Sequence, residues 1–253
     1  SDTMQRHTIT LEHPTDWPGF RTAARALVLA HVSPEAVDWR CQADAAEDLF
    51  APEPHSPNAL PPPAPDAPAL RVPPYFVHLC EQLILHRDPA RFALMYRLLW
   101  RMAQGGDMAR AARHDPLDAD RMQAHHMVRA VRRDMHKMHA FVRFRPVVEP
   151  DGNTLHMAWF EPDHYITEAN AGFFIRRFTQ MRWAILTPDA SVRWDGQQLH
   201  TGPGSQRSDA PPPGRFAGAG RLVPGGAAGR GHDAARFHSG AGLRGGDGAR
   251  PGH

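Results

Sequence analysis

Residues 141–196 read FVRFRPVVEPDGNTLHMAWFEPDHYITEANAGFFIRRFTQMRWAILTPDASVRWDG, and their order decides the fold. Asp151 and Gly152 make a turn between two extended stretches, FVRFRPVV and TLHMAWF, which gives a hairpin. EPDHYITEANAGFFIRRF opens on acidic residues and is expected to be helical, with Ile166, Ala169 and Phe173 buried. RWAILTPDASVRWDG closes the unit as a second hairpin around Pro188 and Asp189. The order hairpin, helix, hairpin predicts an α+β architecture: an antiparallel sheet of two hairpins under a helical layer.

Upstream, a helix is expected from Asp115 and Pro116 to about His139. Its apolar positions Val128, Val131, Met135 and Met138 recur at spacings of three and four and line one face, while Arg129, Arg132, Arg133, His136 and Lys137 lie on the other. Such a cationic face releases counterions when it meets phosphates; a solvated helix face has the same pattern. In the strand after this helix, the two-residue period puts Val142, Phe144 and Val148 on one side and Phe141, Arg143 and Arg145 on the other. A phenyl group beside two guanidinium groups suits an unstacked base and its phosphate, and a cross-strand pairing face has the same composition.

Further outward, PYFVHLCEQLILH and DPARFALMYRLLWRMAQGG read as two helices. The second is capped by Asp88, with Pro89 first, and is ended by Gly105 and Gly106. Tyr75, Phe76, Leu79, Leu83, Phe92, Met95, Leu99 and Trp100 are their expected core. Residues 51–74 are dense in proline and read as a loop or linker. Residues 1–50 form a strand, helix, strand unit: HTITL, then WPGFRTAARALVLAHV capped by Thr15 or Asp16 with Pro18 in its first turn, then AVDWRC. Trp17, Phe20, Leu27 and Trp39 are its expected core. The α+β domain therefore spans 75–200. From 201 the composition turns to Gly, Pro, Ala and Arg, and disorder is expected from about Gly204 to His253.

Of the 253 residues, 42% are hydrophobic, enough for a buried core, and the formal charge is only +2, so any basic site must be local. No apolar run reaches the roughly 20 residues that cross a bilayer, and the N-terminus lacks the layout of a signal peptide, so a cytoplasmic protein without a membrane partner is expected. Cys41 and Cys80 are too few and too far apart for a Cys-rich zinc module. Lys137 is the only lysine, and a lone amine can serve as a nucleophile as well as a phosphate contact. Glu161, Asp163 and His164 cluster at a strand-to-helix corner, where acid or base chemistry and helix capping are both open to them. His136 and His139, or His125, His126 and Asp134, have no recognised metal frame, and no phosphate-loop, dinucleotide or nucleophile-elbow motif is present. No cofactor or metal is therefore expected, and Lys137, His136, Glu161 and His164 are the candidates for catalysis.

The phrases WPGFRTAARALVLA, HRDPARFALMYRLLWR, VRRDMHKMHAFVRFR, AWFEPDHYI, FFIRRF and WAILTPDASVRWDG resemble the bacterial domain of unknown function 4130 family, whose members are described as probable DNA-metabolism proteins. The resemblance covers most of residues 14–200. In that family the domain occurs beside a radical-SAM protein or ahead of a uracil-DNA-glycosylase-like domain, so it implies DNA repair or DNA modification as the context. The matching residues of first interest are Arg133, His136, Lys137, Arg143, Arg145, Glu161, His164, Arg176 and Arg177. After TGPGSQRSDAP the family's further aromatic segments are missing here, as a frameshifted or truncated reading frame would leave it.

The leading expectation is an accessory nucleic-acid-binding domain. It would meet DNA, single-stranded or with unstacked bases, through Arg129, Arg132, Arg133, His136, Lys137, Phe141, Arg143, Arg145, Arg176 and Arg177. An enzyme acting on a DNA base or backbone is the rival, and a module that docks the radical-SAM or glycosylase-like partner is the third reading.

Overall fold

The computed structural model describes residues 5–42, 59–67, 69–104 and 118–211, with the backbone of 238–239. The chain forms two compact units. One holds residues 1–136 together with Asp163–Ile166, the other Lys137–Pro162 with 167–253. The division falls inside a helix rather than in the proline-rich segment, because the N-terminal strands and the helices after them share a single core.

In the first unit, β1 (His7–Leu11) and β2 (Val37–Cys41) pair in parallel, joined through α1 (Trp17–Leu29). Parallel neighbours need such a crossover. Asp16 caps α1, its Oδ1 accepting the Gly19 N–H at 2.9 Å, so of the two expected caps it is the aspartate that serves. Next along the chain are α2 (Pro74–Leu83), α3 (Arg91–Ala103) and α4 (Ala119–Phe141). Asp88 Oδ1 accepts the Ala90 N–H just ahead of α3. Phe20, Leu27, Phe76, Leu83, Phe92 and Met95 are buried as expected, whereas Tyr75 is 47% exposed. Arg91, 2% exposed, is tolerated because its guanidinium donates to the carbonyls of Ile84, Asp88 and Pro14.

Helix α4 starts later than expected. Asp118 Oδ1 accepts the N–H groups of Asp120 and Arg121, and the expected start at Asp115 lies outside the described residues, as do Gly105 and Gly106. It also ends later, at Phe141, and this shortens the next strand. Strand β3 is Arg145–Val148, so Phe141 and Arg143 do not share a strand face with Arg145. The Arg143 guanidinium instead folds back on the end of α4, donating to the carbonyls of Ala140 at 2.7 Å and Val142 at 3.0 Å, which the helix end leaves without an N–H partner. The facing of β3 is reversed as well: Val147 is buried and Val148 exposed.

The second unit is built on a sheet of order β3-β4-β5-β6-β7-β8, with β4 (Thr154–Trp159), β5 (Trp183–Leu186), β6 (Ala190–Trp194), β7 (Leu199–Pro203) and the short β8 (His238–Ser239). The pairs β3–β4 and β5–β6 are the two expected antiparallel hairpins, and Gly152 turns the first with φ 83°. They join through a parallel β4–β5 pair, with α5 (Thr167–Arg177) as the crossover, so the sheet is antiparallel-rich rather than wholly antiparallel. Because α5 begins at Thr167 and not near Glu161, its buried positions are Thr167, Asn170, Ala171 and Phe174, while Ala169 is exposed and Phe173 half-buried. Phe174 and Phe144 pack on Trp183 at 6.0 Å each, and Trp194 Nε1 donates to Thr179 O at 2.9 Å.

Residues 204–211, expected to be disordered, have a defined place. Ser205 N–H donates to Thr187 O at 2.9 Å, the hydroxyls of Ser191 and Ser205 lie 2.8 Å apart, and the Gly204 backbone passes so close to the Pro188 carbonyl that a Cβ would collide with it. The remainder of the expected disordered tail, β8 aside, lies outside the described residues.

Candidate nucleic-acid interface

Between Asp120 and Phe141 the single acidic residue is Asp134. It sits on the inner face of α4, 3% exposed, where its carboxylate accepts the main-chain N–H groups of Asp163 at 3.2 Å and His164 at 2.8 Å. Ala124, Met127, Val128 and Val131 share that face. The outer face is left cationic: within the first unit Arg129, Arg132, Arg133 and His136 are all exposed. Arg132 Nε donates to Gln82 Oε1 at 3.1 Å. Arg129 and Arg133 have no acidic partner among the described residues. Two cations on the neighbouring helix α3 are neutralised, Arg97 by Asp120 at 3.2 Å and Arg101 by Asp118 at 3.0 Å. Placing the helix's acids at its start and beneath it leaves a surface on which two guanidinium groups keep their charge and hydrogen-bonding capacity for a ligand.

The second unit has its own sorting of charge. Glu149 holds Arg182 at 3.0 Å and Arg193 at 2.6 Å. Arg176 and Arg177 stay exposed in the last turn of α5, the Arg177 guanidinium 5.3 Å from the Phe178 ring. Lys137 is exposed, and Phe141 is 64% exposed at the end of its helix. Arg145 is half-buried opposite Met157 on β4. The ring of His139 stacks on Phe173 with centroids 3.7 Å apart and hydrogen-bonds to Asn170.

The expected acid-base cluster at the strand-to-helix corner resolves into separate arrangements. Glu161 belongs to the second unit, where its carboxylate accepts the Trp159 indole N–H at 3.0 Å. His164 belongs to the first, where its Nδ1 accepts the Arg87 N–H at 3.0 Å and its ring lies 4.0 Å from that of His86. The Asp88 N–H occupies His86 Nδ1 in the same way, at 3.0 Å. Both rings are thereby fixed as neutral Nε2–H tautomers, with the lone pair that a general base needs already engaged. Burial, then the neighbouring His164, pushes His86 down to about 4. Burial also lowers His164, against the opposing pull of Asp134 and Asp163. The Arg87 guanidinium completes the arrangement, its Nε donating to Asp163 O at 2.8 Å while it lies 4.5 Å over the Tyr165 ring. Sequence reasoning misses His86 and Arg87 because their partners are more than seventy positions away. Among the described residues no three His, Cys, Asp or Glu side chains are grouped to hold a metal ion.

Residues 89–213, just under half of the chain, match the family model described as a domain of unknown function, DUF4130. The match begins at Pro89, so the WPGFRTAARALVLA phrase of α1 precedes it. No curated protein and no solved structure matches the chain.

Proposed function

We propose that the chain is an accessory nucleic-acid-binding domain that meets phosphates through the outer face of α4. The observation that carries this reading is the exposed Arg129 and Arg133, unneutralised among the described residues, over a helix whose nearest acid is turned inward. A polyanion pairs with such groups and sheds its own counterions in doing so. Within the first unit Arg132 and His136 extend the face; the second unit has cations of its own in Lys137, Arg143, Arg145, Arg176 and Arg177, Arg143 with part of its capacity committed to the helix end. By its resemblance to the domain family, the context is bacterial DNA repair or modification in the cytoplasm, with a radical-SAM protein or a uracil-DNA-glycosylase-like domain as partner.

The test is binding of a labelled oligonucleotide across a salt series. Each lost phosphate contact lowers the slope of log K against log salt by roughly 0.7–0.9, so Arg129→Ala with Arg133→Ala is expected to remove about 1.5 from it and to weaken binding at every sequence. An unchanged slope in the double variant overturns the reading.

A further inference from the structure

One side of α1 lies at the edge of the core, where Trp17 is partly buried against it and the two arginines that follow are exposed. Trp17, Arg21 and Arg25 succeed one another at intervals of four, so they form a single stripe about 12 Å long. Across from it runs the segment Leu60–Pro63, and between the two lies a cavity of about 500 Å³. Its lining is apolar apart from the two arginines and Thr22, with Trp17 and Leu29 on the helix side and Leu60, Pro61 and Pro63 opposite. That volume lies within the range of small-ligand clefts, and the site is open to solvent along one side.

The far wall is held in place independently of any ligand. Ala64 N–H donates to Leu29 O at 2.8 Å, at the end of α1, and His31 pairs with Asp66 at 3.3 Å. Proline adds rigidity and, lacking an N–H, offers a ligand ring surface and carbonyl acceptors but no main-chain donor. Arg21 and Arg25 are exposed and have no partner among the described residues. No acid lines the cavity. The closest in sequence, Asp16, is buried and engaged by the N–H groups of Glu12 and Gly19.

We propose that this cavity is a binding site for a nucleoside monophosphate, its base held between the Trp17 indole and the proline wall and its phosphate by Arg21 and Arg25. The residue types sort along the stripe as that ligand's parts do: an aromatic surface at one end, two guanidinium forks one turn apart further on. Guanidinium pairs bind phosphate bidentately, and an indole takes a purine on its face. The site lies on α1 and does not depend on the α4 reading.

Titration of the full chain with AMP, followed by calorimetry and tryptophan fluorescence, tests it. Saturable micromolar to millimolar binding is expected, with adenosine at least roughly tenfold weaker for want of the phosphate. Arg21→Gln with Arg25→Gln should abolish that preference without moving the melting temperature of the free protein, since both side chains point to solvent. Trp17→Leu should weaken AMP and adenosine alike. The α4 variants Arg129→Ala and Arg133→Ala should leave AMP binding unchanged, which separates this proposal from the fate of the DNA reading. Absence of saturable AMP binding, equal binding by the Arg21 and Arg25 variant, or binding of octanoate in place of AMP would each overturn it.

Discussion

The rings of His86 and His164 lie 4.0 Å apart, and each has committed its Nδ1 to a main-chain N–H, of Asp88 and of Arg87. Adding a proton to either ring turns that acceptor into a donor facing a donor, and adding one to both puts two cations in contact. Arg91 and His126 oppose protonation of His86 further, against the attraction of Asp88.

Acid should therefore loosen this part of the fold. The unfolded chain protonates these histidines near pH 6.5, whereas the folded chain resists until about pH 4 at His86. The native state binds fewer protons between those values, so its stability is full above pH 6.5 and declines as the pH falls toward 4. Urea midpoints at pH 7, 5.5 and 4 measure the decline. His164→Asn, whose Oδ1 can still accept the Arg87 N–H, should flatten it; an unaltered pH profile would show that the pair is not its source.

Asp134→Ala should be among the more damaging single changes to the first unit. It leaves the N–H groups of Asp163 and His164 without their acceptor, at a cost of roughly 2–4 kcal/mol. Asp134→Asn retains one acceptor oxygen and should lose less. Chemical denaturation of the two variants gives the comparison, and equal losses would mean that the carboxylate's charge, not its acceptor geometry, is what matters.

Phe141 offers the opposite separation. At 64% exposure its removal should change stability by no more than about 0.5 kcal/mol. If the exposed ring stacks on bases, Phe141→Ala should weaken single-stranded oligonucleotides several-fold and duplexes little. A uniform effect on single-stranded and duplex forms would assign the side chain no stacking role.

Gly204→Ala probes the order of residues 204–211. The new methyl group meets the Pro188 carbonyl, and relieving that contact should either cost roughly 1–3 kcal/mol or detach the segment from the β5–β6 turn. Thermal melting reads the first outcome, and faster tryptic cleavage after Arg207 the second. A variant identical to the parent in both would remove the segment's structural role.

Short-range signals in the sequence are readable. Asp16 as a cap, the Asp151-Gly152 turn, the two hairpins and the inner stripe of α4 each depend on residues a few positions apart. The strand after α4 is not, because the helix runs on to Phe141 and a shift of one residue in a strand turns every side chain to the other face; hence Val147, not Val148, is inside. The outer cations of α4 are legible, but which of them stay unneutralised is not, since Arg97, Arg101, Asp118 and Asp120 pair across separate helices. The His86–His164 contact and the inward turn of Asp134 arise only when distant stretches meet.

Neither unit is an unbroken length of polypeptide: Asp163–Ile166 returns to the first after the chain has entered the second. No single cut can therefore excise either one whole. A fragment stopped at His136 would lack the partner of His86 and the two amides that Asp134 serves, so deletion mapping of this protein will report damage to one half as though it were loss of the other.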